Sequence, residues 1–204
     1  MSDKDISAKD ISNRVKLNEL KTLSDNHYIL RRADFDWRRS DGSWQRDLRE
    51  SYDMGDGAAV LPVDRARDRV LLIRQFRWPV FEHGHHTLMI EAVAGKLDGD
   101  TPQDCVIREA MEEAGVTILK PQLVTHCFTC PGAVTEKLSL FLADYDSTAP
   151  RAKGGGIGEE GEDIEVFEVS LDEGLAMMAS GEIIDAKTIL LLQAAKLRAI
   201  SPSS

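Results

Sequence analysis

The sequence is short of cysteine, of long apolar runs and of positive charge, and each shortage excludes something. Its 204 residues hold 3 cysteines; the odd number argues against a disulfide framework and fits a reducing cytoplasm. No stretch approaches the ~20 apolar residues of a membrane span. The opening Met1-Ser2-Asp3-Lys4-Asp5-Ile6 lacks the basic-then-apolar layout of a secretory signal. With 25 Lys and Arg against 35 Asp and Glu, the formal net charge is −10. That balance disfavours binding to a nucleic-acid backbone. It leaves room for a small anionic substrate, because multivalent cations can reverse the sign of an acidic pocket.

An apolar fraction of 42% suffices for a real core, and the length suits one ordinary domain with a small addition. Residues 1–15 are polar and read as a flexible tail. Alternating stretches from about Lys16 to Tyr52 flank Ser40-Asp41-Gly42-Ser43. They predict a hairpin with an Asp-Gly turn, and hence a small β subdomain over residues 16–55. The main domain follows over 56–200. There, Gly57 to Pro62, Val70 to Phe76, Thr87 to Ala94, Gln122 to Thr129, Lys137 to Tyr145 and Ile164 to Val169 read as strands. Thr101 to Gly115 is the clearest helix, with Thr101 at the N-cap, Pro102 at the first position and Gly115 just past the end. Ser170 with Glu173 forms a capping box for a helix to about Ala179. Asp185 caps a last helix to about Ala199. Interleaved strands and helices predict an α/β or α+β sandwich.

A helical residue advances ~100° around the axis. Ile107, Ala110, Met111 and Ala114 are therefore expected to share an apolar face against the sheet, with Glu109, Glu112 and Glu113 turned the other way. Three carboxylates so close repel one another, and only Arg108 is a neighbouring counter-charge. Hard divalent ions relieve that repulsion while leaving coordination positions for phosphate. The bland alternative is a solvated acidic helix face. Glu159, Glu160 and Glu162 stand in a loop with Gly154, Gly155, Gly156, Gly158 and Gly161. It reads either as solvated surface or as a carboxylate arm that closes over metals and activates water, with Glu162 the first choice. Arg77, ending a strand, suits phosphate better than Arg74, which reads as a partner for a surface acid. Cys127-Phe128-Thr129-Cys130 has no second pair, and His83, His85 and His86 have no nearby cysteine; neither reads as a zinc site.

Ala92-Val93-Ala94-Gly95-Lys96-Leu97-Asp98 runs off a strand into a glycine loop directly before the acidic helix. Together they resemble the Nudix box, Gly-x5-Glu-x7-Arg-Glu-U-x-Glu-Glu-x-Gly-U with U aliphatic. Gly95, Arg108, Glu109, Glu112, Glu113, Gly115 and Val116 match it, and Ala110 stands at the first U. Thr101 replaces the early glutamate, and the spacer Pro102 to Ile107 is one residue short. Beyond the box, Leu23 to Asn26, Arg49 to Asp53, Leu72 to Arg77, Pro131 to Glu136, Gly154 to Gly156 and Glu162 to Glu165 are similar to one branch of the family. That branch cleaves nucleoside-diphosphate sugars such as GDP-mannose and ADP-ribose, and the short box is nearest its GDP-mannose side.

The resemblance covers roughly residues 16–195. It implies a Nudix α/β/α sandwich with a small N-terminal β subdomain, exchanged between the subunits of a homodimer. It also implies Mg²⁺, with Mn²⁺ as substitute, held by the Ala94 carbonyl, Glu109, Glu113 and Glu162; Glu113 and Glu162 would serve catalysis. Arg49, Glu50, Arg77, Glu136 and Lys187 fall at substrate-contacting positions. His27 stands where the family favours a base-stacking aromatic residue, and Tyr28 is the alternative beside it. The implied activity is cleavage of a nucleotide sugar, GDP-mannose first and ADP-ribose second. Its rivals are another nucleoside-diphosphate derivative as substrate, a non-catalytic nucleotide-sugar sensor and a structural protein. A sensor would be expected to lose Glu109 or Glu113, and a structural role leaves the acidic helix and loop unexplained.

Overall fold

The computed structural model describes residues 10–156, 161 and 163–200. The chain divides into two compact units, residues 1–54 with 130–135, and residues 55–129 with 136–204.

In the first unit, a 3-10 turn at Ser12–Arg14 leads into β1 (Val15–Asp25), β2 (Ile29–Arg38) and β3 (Trp44–Asp53). They form an antiparallel sheet in the order β1-β2-β3. The single expected hairpin is therefore two. The Asp-Gly turn lies where expected: Gly42 takes φ 86° and the Arg39 amide donates to the Ser43 carbonyl at 2.8 Å. The other turn, Asn26-His27-Tyr28, contains neither Gly nor Pro; its only local mark is the Ser24-Asp25-Asn26 run. There the Asn26 side chain donates to Ser24 Oγ at 2.9 Å. The stretch 130–135 joins this unit through hydrogen bonds from the Tyr52 amide to Ala133 and from the Thr135 amide to Tyr52. None of the described residues from 10 to 54 is buried, so this sheet has no core of its own.

The second unit contains β4 (Gly57–Asp64), β5 (Arg69–Gln75), α1 (Trp78–Glu82), β6 (Met89–Glu91), β7 (Val93–Lys96) and α2 (Pro102–Ala114). After these come β8 (Leu119–Phe128), β9 (Lys137–Asp144), β10 (Glu165–Val169), α3 (Leu171–Ser180) and α4 (Ala186–Ile200). The mixed sheet runs β10-β5-β4-β9-β8, with β6 on β5 and β7 on β4. Its central pair, β4 and β9, is parallel. Every residue of β4 is buried. Strand side chains alternate between faces, so Ala58, Val60, Leu71 and Ile73 feed a core shared with Val106, Ala110 and Ala114 of α2. Ala59, Leu61, Val70 and Leu72 feed the opposite core, shared with Leu191, Leu192 and Ala195 of α4. Two-sided burial is why these strands read as apolar runs rather than alternating ones.

Three expectations change. Thr87 to Ala94 is not one strand but β6 and β7. At Ala92 the backbone donates to Thr188 Oγ1 of α4 at 2.7 Å, and the chain switches pairing from β5 to β4. A short helix, α1, which starts beside Pro79, fills a stretch for which no element was expected. The third change concerns the face of α2. Thr101 caps the helix by accepting from the Asp104 amide, and Gly115 closes it with φ 67°, both as expected. Yet Ile107 and Met111 are 44% and 41% exposed, whereas Cys105, Val106, Glu109, Ala110, Glu113 and Ala114 are buried. Small side chains on that stripe let the helix approach the sheet closely, and closeness outweighs the greater hydrophobicity of Ile107 and Met111. At the other end of the unit, the Ser170–Glu173 capping box is present in both directions, and Asp185 accepts from the Thr188 amide at 3.0 Å. Among the described residues no helix is long and apolar enough to cross a membrane.

A β-carbon at Gly115 would lie 2.4 Å from the Ala152 carbonyl oxygen. Gly115→Ala is therefore expected to cost at least ~1 kcal/mol, the usual penalty for the left-handed region. That corresponds to a fall of ~2–4 °C in melting temperature for a chain of this size. A thermal melt followed by circular dichroism checks it; an unchanged midpoint would show that the turn relaxes freely.

Candidate active site

The acidic helix meets the sheet at β7. Ala94 and Gly95 pair there with Ala59 and Ala58 of β4, which anchors the β7 backbone on the central strand. An ideal β-carbon on Gly95 would fall 1.8 Å from Glu109 Oε1; only glycine lets this carboxylate press on the strand. One turn later, Glu113 Oε2 accepts from the Ala94 amide at 3.1 Å. Relative exposure is 9% for Glu109 and 2% for Glu113. The two acids thus sit under the strand–loop edge, not on the outward face that helical spacing predicted. Glu112 is half-buried.

Arg108 is the counter-charge. Its Nη1 reaches Glu109 Oε1 at 2.7 Å and Glu112 Oε2 at 3.0 Å, Nε reaches Asp100 at 3.1 Å, and Nη2 donates to the Lys96 carbonyl at 3.1 Å. These carboxylates raise its pKa further although burial works against the charge. Cys105 lies beneath, with Sγ 3.3 Å from the Lys96 carbonyl oxygen. Burial, then the Glu109 charge, pushes its thiol up to about 11. The glycine loop docks on the end of α2: the Gly155 amide donates to the Glu113 carbonyl at 2.8 Å and the Gly156 amide to Glu112 at 3.1 Å. Glu159, Glu160 and Glu162 themselves lie outside the described residues.

Near these acids in the same unit is a cluster of alternating charge. Arg77 makes a two-point contact with Glu91, Nε to Oε1 at 2.8 Å and Nη2 to Oε2 at 3.1 Å. Lys187 Nζ bonds the same Glu91 Oε2 and lies 3.1 Å from Asp185 Oδ1. Burial opposes ionisation of Glu91, yet Lys187 and Arg77 together hold its pKa below the usual carboxylate value. Burial likewise works against the Lys187 charge, and Glu91 and Asp185 outweigh it, so its pKa is raised. Arg77 feels the charge of Glu113 as well. Glu136, just before β9, is half-buried; burial raises its pKa while Lys187 and a Thr129 hydrogen bond pull it down. Arg74 stands apart, over the Phe167 ring and 3.9 Å from Glu165, which is the surface role expected of it.

In the first unit, Tyr28 is bracketed by His27 and Tyr52, with ring centroids 4.3 Å and 5.4 Å away. His27 is exposed and Tyr28 half-buried. Arg49 pairs with Asp47 and donates to the Leu48 carbonyl at 2.8 Å; Glu50 is exposed on β3, opposite Arg32.

Residues 54–193 match the family described as NUDIX domain. The chain belongs to the Nudix family. Residues 14–52 also match the "GDP-mannose pyrophosphatase NudK N-terminal domain". Relatives named GDP-mannose pyrophosphatase include one from Pectobacterium atrosepticum, 42% identical over 189 residues, covering 92% of this chain and 97% of the relative. Another, from Cronobacter sakazakii, is 44% identical over 191 residues, 93% of this chain and 99% of its own. A solved structure titled "Crystal structure of ADP compounds hydrolase" aligns with TM-score 0.71 at 15% identity, over 96% of this chain and 100% of that one. The fold is thus the expected Nudix sandwich with its N-terminal sheet.

Hydrolases of the Nudix family generally depend on a divalent metal. Among the described residues no three His, Cys, Asp or Glu side chains are gathered as a complete metal cluster. Ala94, Glu109 and Glu113, the described residues expected at a metal, offer only oxygen, beside a Gly95 cradle that a β-carbon would fill. That chemistry fits a hard divalent cation. Glu91 and the Asp185 side chain's second role, as a Lys187 partner, were missed from sequence. The available signal was one charge inside the apolar run Met89-Ile90-Glu91-Ala92-Val93.

The Nudix glycine supplies a test that needs no substrate. Gly95→Ala forces the Glu109 carboxylate off β7, and Mn²⁺ affinity, read by electron paramagnetic resonance, is expected to weaken by at least ~10-fold, or ~1.4 kcal/mol. Retained affinity in a folded variant would remove Glu109 from the metal site.

Proposed function

We propose that the chain hydrolyses the pyrophosphate bond of a nucleoside-diphosphate sugar, GDP-mannose in preference to ADP-ribose, giving a nucleoside monophosphate and a sugar phosphate. The observation that supports this most directly is the neighbourhood of two unlike charge groups in one unit. Glu109 and Glu113 are buried acids for cations, and Arg77 and Lys187 are bases for phosphate; Arg77 lies within electrostatic reach of Glu113. The names of the relatives and the N-terminal match favour the GDP-mannose branch.

In this reading the Ala94 carbonyl, Glu109, Glu113 and Glu162 hold Mg²⁺, for which Mn²⁺ substitutes. The bound ions supply charge neutralisation on the diphosphate and a lowered pKa for water. The protein positions reactants and stabilises charge, since phosphoryl transfer needs little covalent help from side chains. Glu162 orients or deprotonates the attacking water. Arg77, Lys187 and Glu136 contact the diphosphate and sugar, with Arg49 and Glu50 from the N-terminal sheet. His27 or Tyr28 stacks on the base; the Tyr28 ring already has Tyr52 as a backing neighbour. Three free cysteines suit a reducing cytoplasm.

Activity on GDP-mannose with Mg²⁺ is expected to vanish with EDTA and return with added metal. Glu109→Gln and Glu113→Gln are each expected to cut kcat by at least ~10²-fold, because each removes a charged ligand. Comparing kcat/KM for the two sugars tests the ranking. A preference for ADP-ribose above ~10-fold would reverse it, and full activity in EDTA would sink the metal reading.

We also infer a homodimer that exchanges the N-terminal sheet. A three-stranded sheet without a core is marginal alone, and Leu17, Leu20 and Leu48 are 60%, 55% and 54% exposed on it. A second copy of this surface is the self-complementary occupant that symmetry favours. Sedimentation at micromolar concentration is expected to give a dimer, and deletion of residues 16–52 a monomer with poor substrate affinity. A fully active wild-type monomer contradicts the exchange.

A further inference from the structure

Glu91 has no assigned part in that function, yet two of the cations assigned to substrate, Arg77 and Lys187, end on its carboxylate. It is 3% exposed and lies on β6 opposite Ile73 of β5. Arg77 spends Nε and Nη2 on it, so the Nη1 donors remain for another acceptor, and the Arg77 side chain is 42% exposed. Lys187 spends one bond on Glu91 and one on Asp185; an ammonium carries a further donor. A planar guanidinium gripped at two points cannot swing, and an ammonium fixed by two carboxylates cannot wander.

We propose that Glu91 is a positioning residue for phosphate recognition: it holds Arg77 and Lys187 side by side so that their remaining donors converge on one anionic group. The inference rests on Arg77 and Lys187 contacting substrate. Four charges, Arg77, Lys187, Glu91 and Asp185, sum to zero without substrate, which lets two cations sit side by side on one buried carboxylate. Without Glu91, the two positive charges repel each other and Arg77 loses its two-point support. Asp185 Oδ1, 3.1 Å from Lys187 Nζ, still partners the lysine in Glu91→Gln and offsets part of the charge left unpaired.

The effect is read as a split between kinetic constants. Glu91→Gln is expected to raise KM for GDP-mannose at least ~10-fold while kcat changes by less than ~3-fold, the signature of lost uniform binding rather than lost chemistry. Glu91→Asp keeps the charge one methylene back; it should give an intermediate KM, and it decides the matter if Glu91→Gln does not fold. A purely structural role would not produce the third result. In an Arg77→Ala background, Glu91→Gln should add less than half, in logarithmic terms, of its effect in wild type, because the two changes act through one contact. Wild-type KM in either folded Glu91 variant, or fully multiplicative effects with Arg77→Ala, overturns the proposal. If the wild-type enzyme cleaves another nucleotide sugar instead, the substrate reading fails, and the same three comparisons on that sugar decide the role of Glu91. If Arg77→Ala and Lys187→Ala leave KM unchanged, the assignment of those cations fails and Glu91 falls with it.

Discussion

The close approach of α2 to β7 is the constraint on which the rest of the site depends. A carboxylate lying where a side chain on Gly95 would stand requires a helix packed tightly on the sheet. Tight packing in turn requires the small stripe of Cys105, Val106, Ala110 and Ala114. Once the helix is that close, Glu109 and Glu113 are taken out of water along with the core. Buried carboxylates cost free energy unless charge or hydrogen bonds compensate. Arg108 and the Ala94 amide supply part of that compensation. Thus a packing requirement and an electrostatic one act on the same helix, and both are met by residues at its edge.

The second charged group extends that logic to α4. The Ala92 amide bonds Thr188, and Lys187 bonds Glu91, so the start of α4 is tied to the bend between β6 and β7 by adjacent residues. That bend delivers Ala94 to the acidic helix. A change at α4 therefore reaches the acids through a short chain of contacts, and the cations cannot be treated as independent of the strand switch. The N-terminal sheet follows different rules: its strands are long, well paired and amphipathic, yet nothing within the sheet buries them.

Most elements were legible because their signals are local. Thr101, Pro102 and Gly115 bracket α2, Ser170 and Glu173 open α3, and Asp41-Gly42 turns β2 into β3. What was not legible either lacked the strongest turn residues or was non-local. The Asn26-His27-Tyr28 turn carries no glycine or proline, and the break between β6 and β7 is made by Thr188, far along the chain. Helical periodicity found that the three glutamates cluster, but it chose the wrong buried stripe, since it weighs hydrophobicity and not how near two backbones can come.

The sequence by itself determined the family and the acidic helix with its glycine, because these depend on residue type and spacing along one segment. Only the tertiary structure decided that Glu109 and Glu113 are buried, that Gly95 is required by the Glu109 carboxylate, and that Arg77 and Lys187 meet on Glu91. Those facts arise where segments distant in sequence come within hydrogen-bonding distance. No local pattern records which partner will be there.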